Sequence, residues 1–155
     1  MNRHSHCFGF EADFVGELRC IPMAVRRKLD LAGVKLRLNH WQGLSVAERE
    51  RLLGWPDQPA AIAALGHWLI ERTAAMPQGQ ASLLEPARAT SWQQGDQVPT
   101  VLADSCEQLA LMPVSAEAWA ALDELQRFAL IKLSHPGHEH RNLPGALREF
   151  GLNGS

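Results

Sequence analysis

Two stretches of the chain repeat one another: "WQGLSVAERERL" at residues 41–52 and "WAALDELQRFAL" at residues 119–130. Trp, Leu, a small oxygen-bearing residue, Glu or Gln, Arg and Leu recur at offsets 0, 3, 4, 7, 8 and 11. The spacing carries a physical device. Ser45 and Asp123 stand where a helix N-cap belongs, and Glu48 and Gln126 follow three residues later. That is the capping box, in which cap and third residue satisfy each other's free backbone N–H groups. Leu44 and Leu122, one position before each cap, are placed to staple against the new helix. Each copy therefore demands a helix start at a fixed place, and Trp41 and Trp119 at equivalent positions are assigned to the core or the seam between helices.

The segments before the repeats match more loosely. "AGVKLRLNHW" and "ALMPVSAEAW" both lead through spaced apolar residues to the Trp. Gly33 is expected to close the preceding helix in the left-handed C′ manner. Pro22 and Pro99 open helices where a missing N–H costs nothing, and Val25, Leu29 and Ala32 fall on one face. Asp57 is expected to cap a long helix with Ile62, Leu65 and Leu69 on one stripe. "ELQRFALIKLS" is apolar nearly all round and reads as the most buried helix. Asn142 and Pro144 open a last short helix that Gly151 closes. Residues 76–98, rich in Pro, Gly, Gln and Ser, read as a long loop. Apart from a short extended piece expected at residues 8–10, no strand signal appears. The fold class that follows is all-α: a compact helical bundle with an internally duplicated helix-turn-helix-like unit. It is read as one domain over residues 1–155, with repeat units at about 22–55 and 99–134.

The net charge of −2 over 155 residues lacks the basic excess of a protein that lives on nucleic acid. No apolar run approaches the ~20 residues of a membrane span, and the N-terminal residues lack a signal-peptide core. The expected compartment is the cytoplasm. Three widely spaced cysteines (Cys7, Cys20, Cys106) fit reduced thiols better than a disulfide framework.

The densest cluster of chemistry is "HPGHEHRN" at residues 135–142. His135, His138 and His140 are zinc-ligand types, but Pro136 and Gly137 break the helix that would align two of them. The bland role is a polar bend, with Asn142 capping the last helix and Arg141 pairing with a carboxylate such as Glu11 or Asp13. Neither a nucleophile elbow nor a phosphate-binding glycine loop is present. The basic run Arg26, Arg27, Lys28 reads equally as a positive face or as a solvated face paired internally with Asp30, Glu17 or Glu11. Phe10 and Phe14 interleave with Glu11, Asp13, Glu17 and Arg19 in a pattern suited to partner binding.

"FEADFVGELRCIPMAVRRKLDLAGVKLRLNHW" and "WAALDELQRFALIKLSHPGHEHRNLPGALREF" resemble the nitrate reductase-associated protein family. The resemblance covers nearly the whole chain except the first few residues and residues 76–98. It implies an accessory role in producing active assimilatory nitrate reductase, by protein binding, without catalysis and without a resident cofactor or metal. The step it implies is maturation: insertion of the molybdenum cofactor or iron–sulfur cluster, or holding the apo-enzyme ready. Partners would be nitrate reductase or its cofactor-insertion machinery, with no nucleic acid and no membrane. Glu11, Asp13, Arg19, Cys20, Arg26, Lys28, His138, Glu139, Arg141 and Asn142 match the family's blocks and are the expected partner-binding residues. His135 and His140 depart from the family's pattern, which has Arg and Asn there, so a three-histidine metal site would be peculiar to this chain. The competing reading is a small metal-binding protein or enzyme using the His138 and Glu139 region.

Overall fold

The computed structural model describes residues 5–12, 18–135 and 138–152, and leaves the side chains of His138 and Glu139 undescribed. Helix accounts for 61% of the structure, and among the described residues the β-structure is one two-stranded pair, so the fold is all-α. The chain divides into two compact units, Met1–Arg88 and Ala89–Ser155.

The first unit holds α1 (Met23–Ala32), β1 (Val34–Lys35), α2 (Leu38–Gln42), α3 (Val46–Gly54), α4 (Pro59–Ala74) and β2 (Ser82–Leu83). The second holds α5 (Thr100–Gln108), α6 (Ala116–Ala121), α7 (Glu124–Ser134) and α8 (Leu143–Glu149).

Both expected capping boxes are formed. Ser45 Oγ accepts from Glu48 N at 3.1 Å while Glu48 Oε1 accepts from Ser45 N at 2.9 Å. Asp123 Oδ1 accepts from Gln126 N at 2.8 Å while Gln126 Oε1 accepts from Asp123 N at 3.0 Å. Leu44 and Leu122 before them are buried. Glu48 also takes the Arg72 guanidinium of α4 on both oxygens, at 2.8 and 3.1 Å. That pairing, reinforced by the bonds to Ser45, holds its carboxyl down at about 2.

Trp41 and Trp119 are each fully buried, and each indole reaches back to an earlier segment. Trp41 Nε1 donates to Leu18 O at 2.8 Å, and Trp119 Nε1 donates to Gln94 O at 2.9 Å. The Arg at the fourth position of each capped helix joins the same task. Arg49 donates to Leu18 O, Trp41 O and Gln42 O; Arg127 donates to Trp92 O and Leu122 O. Backbone carbonyls next to a buried indole need such partners, because an unsatisfied polar group away from water costs ~1–3 kcal/mol.

The helix ends before the repeats also correspond. Gly33, at φ 72°, ends α1 in the left-handed region. Past α5, Ala110 adopts φ 54°, with Leu111 N donating to Cys106 O and Ala110 N to Glu107 O. These are the two bonds of a Schellman motif, built here on a residue with a Cβ. Gly33 has a second reason to be glycine: a Cβ there would lie 2.5 Å from Leu84 O. Leu84 N donates to Gly33 O at 2.7 Å, and Val34 pairs with Leu83 antiparallel beside it.

The first core gathers Val25, Leu29, Trp41, Leu52, Leu65 and Leu69, so the expected stripes on α1 and α4 do face inward. Thr73 Oγ1 donates to Leu69 O and accepts from Ala81 N, and so ties the returning loop to α4. His40 Nδ1 accepts from Arg37 N, which makes Nε2 the donor to Gly79 O at 2.8 Å. In the second unit α7 is the central element. It buries Leu125, Phe128, Ala129, Leu130, Ile131, Leu133 and Ser134 and packs against α5, α8 and the turn at Ser91–Gln93. Trp92 meets Phe128 edge-on at 5.1 Å. Ser105 Oγ donates to Ser134 O and secures the end of α7.

Four expectations are corrected. Gly9–Glu11 is a 3-10 turn, with only Phe8 extended. Gln58, not Asp57, is the N-cap of α4, and no side chain bonds there; Asp57 instead pairs with Arg27 at 3.1 Å. Asn142 precedes α8 in helical conformation without a side-chain cap bond, because the turn at His138–Asn142 runs straight into that helix. Within residues 76–98, Ser82–Leu83 is a strand and Ser91–Gln93 a 3-10 turn.

Ala110→Gly is expected to raise stability in urea denaturation by about 0.5–1 kcal/mol, by relieving the left-handed Cβ. Gly33→Ala should lower stability by more than that, through the clash with Leu84. Glu48 binds its proton near 4.5 when unfolded and near 2 when folded, so its contribution is complete above about pH 4.5 and is lost as pH falls toward 2. Glu48→Gln should keep the cap, lose about 1 kcal/mol at pH 7, and flatten that acid limb.

Candidate partner-binding surface

The N-terminal segment is fastened by a carboxylate. Glu11 is buried; its Oε2 accepts from Phe8 N at 2.9 Å and its Oε1 from Met23 N at 2.7 Å. Met23 is the first residue of α1, and its N-cap, Pro22, offers no side-chain acceptor. Glu11 thus does from a distance what a capping residue does locally, and the positive end of the helix favours its charge. Phe8 and Phe10 stack at 5.4 Å beside it, and His6 meets Phe8 edge-on. Burial, and secondarily the Glu11 charge, push the Cys7 thiol up. Burial does the same to Cys106. Neither is poised as a thiolate nucleophile.

The basic run of α1 does not form a positive face. Arg26 is half-buried, whereas Arg27 and Lys28 turn inward. Lys28 is fully buried, and its Nζ donates to Leu53 O at 2.6 Å and Leu52 O at 3.4 Å. It closes the carbonyl end of α3, where a cation complements the helix dipole. Burial lowers its pKa to about 8, against the opposing pull of Asp57 and with a smaller push from Arg27. Glu11 and Lys28, expected to face a partner, therefore hold the fold together from inside.

Arg19 is exposed and Cys20 half-buried. Leu18 takes a left-handed backbone at φ 57°, held because its carbonyl receives both Trp41 and Arg49. Leu18, Arg19, Val46, Arg49 and Glu50 surround an open hollow of about 560 Å³. Val46, the first residue of α3, lies 56% exposed at its edge. The hollow thus sets an apolar spot beside one acid and two arginines.

In the second unit Arg141 is exposed and Asn142 half-buried. His135 is exposed, and His140 Nε2 is buried without a hydrogen-bond partner among the described residues. Asp13 and the side chains of His138 and Glu139 lie outside the described residues. Among the described residues no group of three or more His, Cys, Asp or Glu could hold a metal ion, and no helix is long and apolar enough to cross a membrane. Sequence reasoning missed Val46, Arg49 and Glu50. The signal for Arg49 was its place in the repeat, opposite Arg127; nothing local marks Val46.

The profile of one family, described as conserved nitrate reductase-associated protein, matches residues 7–150. The chain belongs to that family. The match spans both units and runs through residues 76–98, which the resemblance had left out. The family's name associates it with nitrate reductase. No curated protein and no solved structure gives a significant match.

Unfolded lysine titrates near 10.5, so between about pH 8 and 10.5 the unfolded chain holds a proton that folded Lys28 has released. Stability from this group therefore rises with pH across that window. The raised thiols pull the opposite way, so the comparison to make is wild type against Lys28→Met. The urea midpoint of the variant should lack the alkaline gain that Lys28 supplies.

Proposed function

We propose that this protein is a non-catalytic accessory factor for assimilatory nitrate reductase that acts by binding protein. The step it serves is enzyme maturation, at molybdenum cofactor or iron–sulfur cluster assembly. The family's association with the reductase supplies the client. The observation that carries the binding role is how the buried polar groups are used. Glu11, Lys28, His40, Thr73, Ser105 and Ser134 all bond backbone N–H or C=O groups, so they serve as fasteners. In the first unit Arg19, Val46 and Glu50 are exposed around one hollow, and Cys20 and Arg26 are half-buried. Arg141 and Asn142 are the polar counterpart in the second unit, and Asp13, His138 and Glu139 join the proposal from the sequence blocks alone.

Tagged protein crosslinked in cells grown on nitrate should capture the reductase or a cofactor-insertion protein. Val46→Glu places an acid in the first turn of α3, where the helix tolerates it, and should reduce that recovery severalfold without changing the circular dichroism. Recovery of neither class of protein would refute the proposal. In a strain lacking the gene, reductase activity should fall together with its cofactor content. Full cofactor loading with low activity would exclude the insertion step.

A further inference from the structure

Arg51, on α3, lies with its guanidinium carbon 4.9 Å from the ring centre of Trp55 and 5.4 Å from that of Trp68. The two indoles are 6.1 Å apart and tilted by 41°. Trp55 is itself locked, its Nε1 donating to Ala61 O at 2.7 Å. Beside this stack is a hollow of about 390 Å³ walled by Gly54, Trp55, Pro56, Ala61 and Ala64, and among the described residues that line it Arg51 carries the only charge. Among the described residues Arg51 makes neither an ion pair nor a hydrogen bond, although it is exposed. Other arginines of the same unit are committed: Arg27 to Asp57, Arg49 to three carbonyls, Arg72 to Glu48.

A guanidinium stacked on aromatic faces is held in place while its N–H fork remains available. The fork matches a carboxylate in bidentate geometry. The stacking has already removed much of the side-chain entropy that an exposed arginine loses on binding. The walls next to it offer apolar surface of side-chain size. We infer that the hollow beside the Arg51, Trp55 and Trp68 stack is a docking site for an acidic segment of a partner protein, with an Asp or Glu carboxylate on Arg51 and an adjacent Leu or Phe in the hollow. Charge complementarity selects this occupant: one unpaired cation, no acid in the walls, and an apolar floor. Single-stranded nucleic acid also stacks on indoles, but it needs a run of cations along a groove, and this hollow has one.

The site is separate from the surface around Arg19 and Val46, and its test uses peptides rather than the reductase, so the two ideas fail independently. The probe is an acetylated, amidated hexapeptide, Gly-Phe-Glu-Glu-Leu-Gly, titrated into the 15N-labelled full chain. The five Trp report separately through their indole N–H signals. Those of Trp55 and Trp68 should shift saturably while those of Trp41, Trp92 and Trp119 stay in place. Arg51→Gln should weaken binding about tenfold, as expected for losing a charge-assisted pair, with unchanged circular dichroism; Arg51→Lys should recover only part. The inference is overturned if the Gln-Gln version of the peptide binds equally, if Arg51→Gln has no effect, or if the shifts fall on the other indoles. Equal shifts with acetate alone, or tighter binding of oligothymidylate, would overturn it as well.

Discussion

The structure hangs on a pair of clamps. In each unit a buried indole and an arginine four residues into the next capped helix hold carbonyls of a segment far upstream. Leu18 O receives Trp41 and Arg49; Gln94 O and Trp92 O receive Trp119 and Arg127. These bonds fix the incoming chain before the helices that follow it, α1 in one unit and α5 in the other. They also explain two details that look costly in isolation. Leu18 tolerates a left-handed backbone because its carbonyl is doubly engaged. An arginine at the fourth position of a helix, where an apolar staple residue is common, is used to satisfy backbone that would otherwise be stranded next to a tryptophan.

Buried ionisable groups in this protein act mainly as substitutes for local backbone chemistry. Pro22 cannot cap α1, so Glu11 does. The carbonyl end of α3 runs into Trp55 and Pro56 without a left-handed glycine, so Lys28 covers it. Both charges are fully withdrawn from solvent, a position each keeps only by bonding oriented backbone dipoles. Chemistry that would draw attention in a sequence is thus spent inside, and exposed residues with little to mark them, such as Val46 and Arg51, line the open hollows.

The legibility of the sequence follows the range of each interaction. The capping boxes at Ser45 and Asp123, the left-handed close at Gly33 and the apolar face of α7 depend on residues within one or two turns, and each was readable. Asp57 had the right chemistry for a cap, yet Arg27, thirty residues away, claimed it. The basic run of α1 was ambiguous because its direction depended on where the end of α3 would lie. Residues 8–10 read as extended because aromatic residues alternate there, but Glu11 pulls the backbone into a turn through the Phe8 N–H.

What the sequence alone determined is the set of local signals: two matching helix starts, the all-α class, and the family to which the chain belongs. Those signals are short-range hydrogen bonds and periodic apolar stripes, and they are written within a few residues. Tertiary structure decided which polar side chains face inward and which remain exposed. Burial is settled by contacts between elements distant in sequence. Lys28 meeting Leu53, Glu11 meeting Met23, and Arg51 stacking on Trp55 and Trp68 are products of packing, which no local pattern encodes.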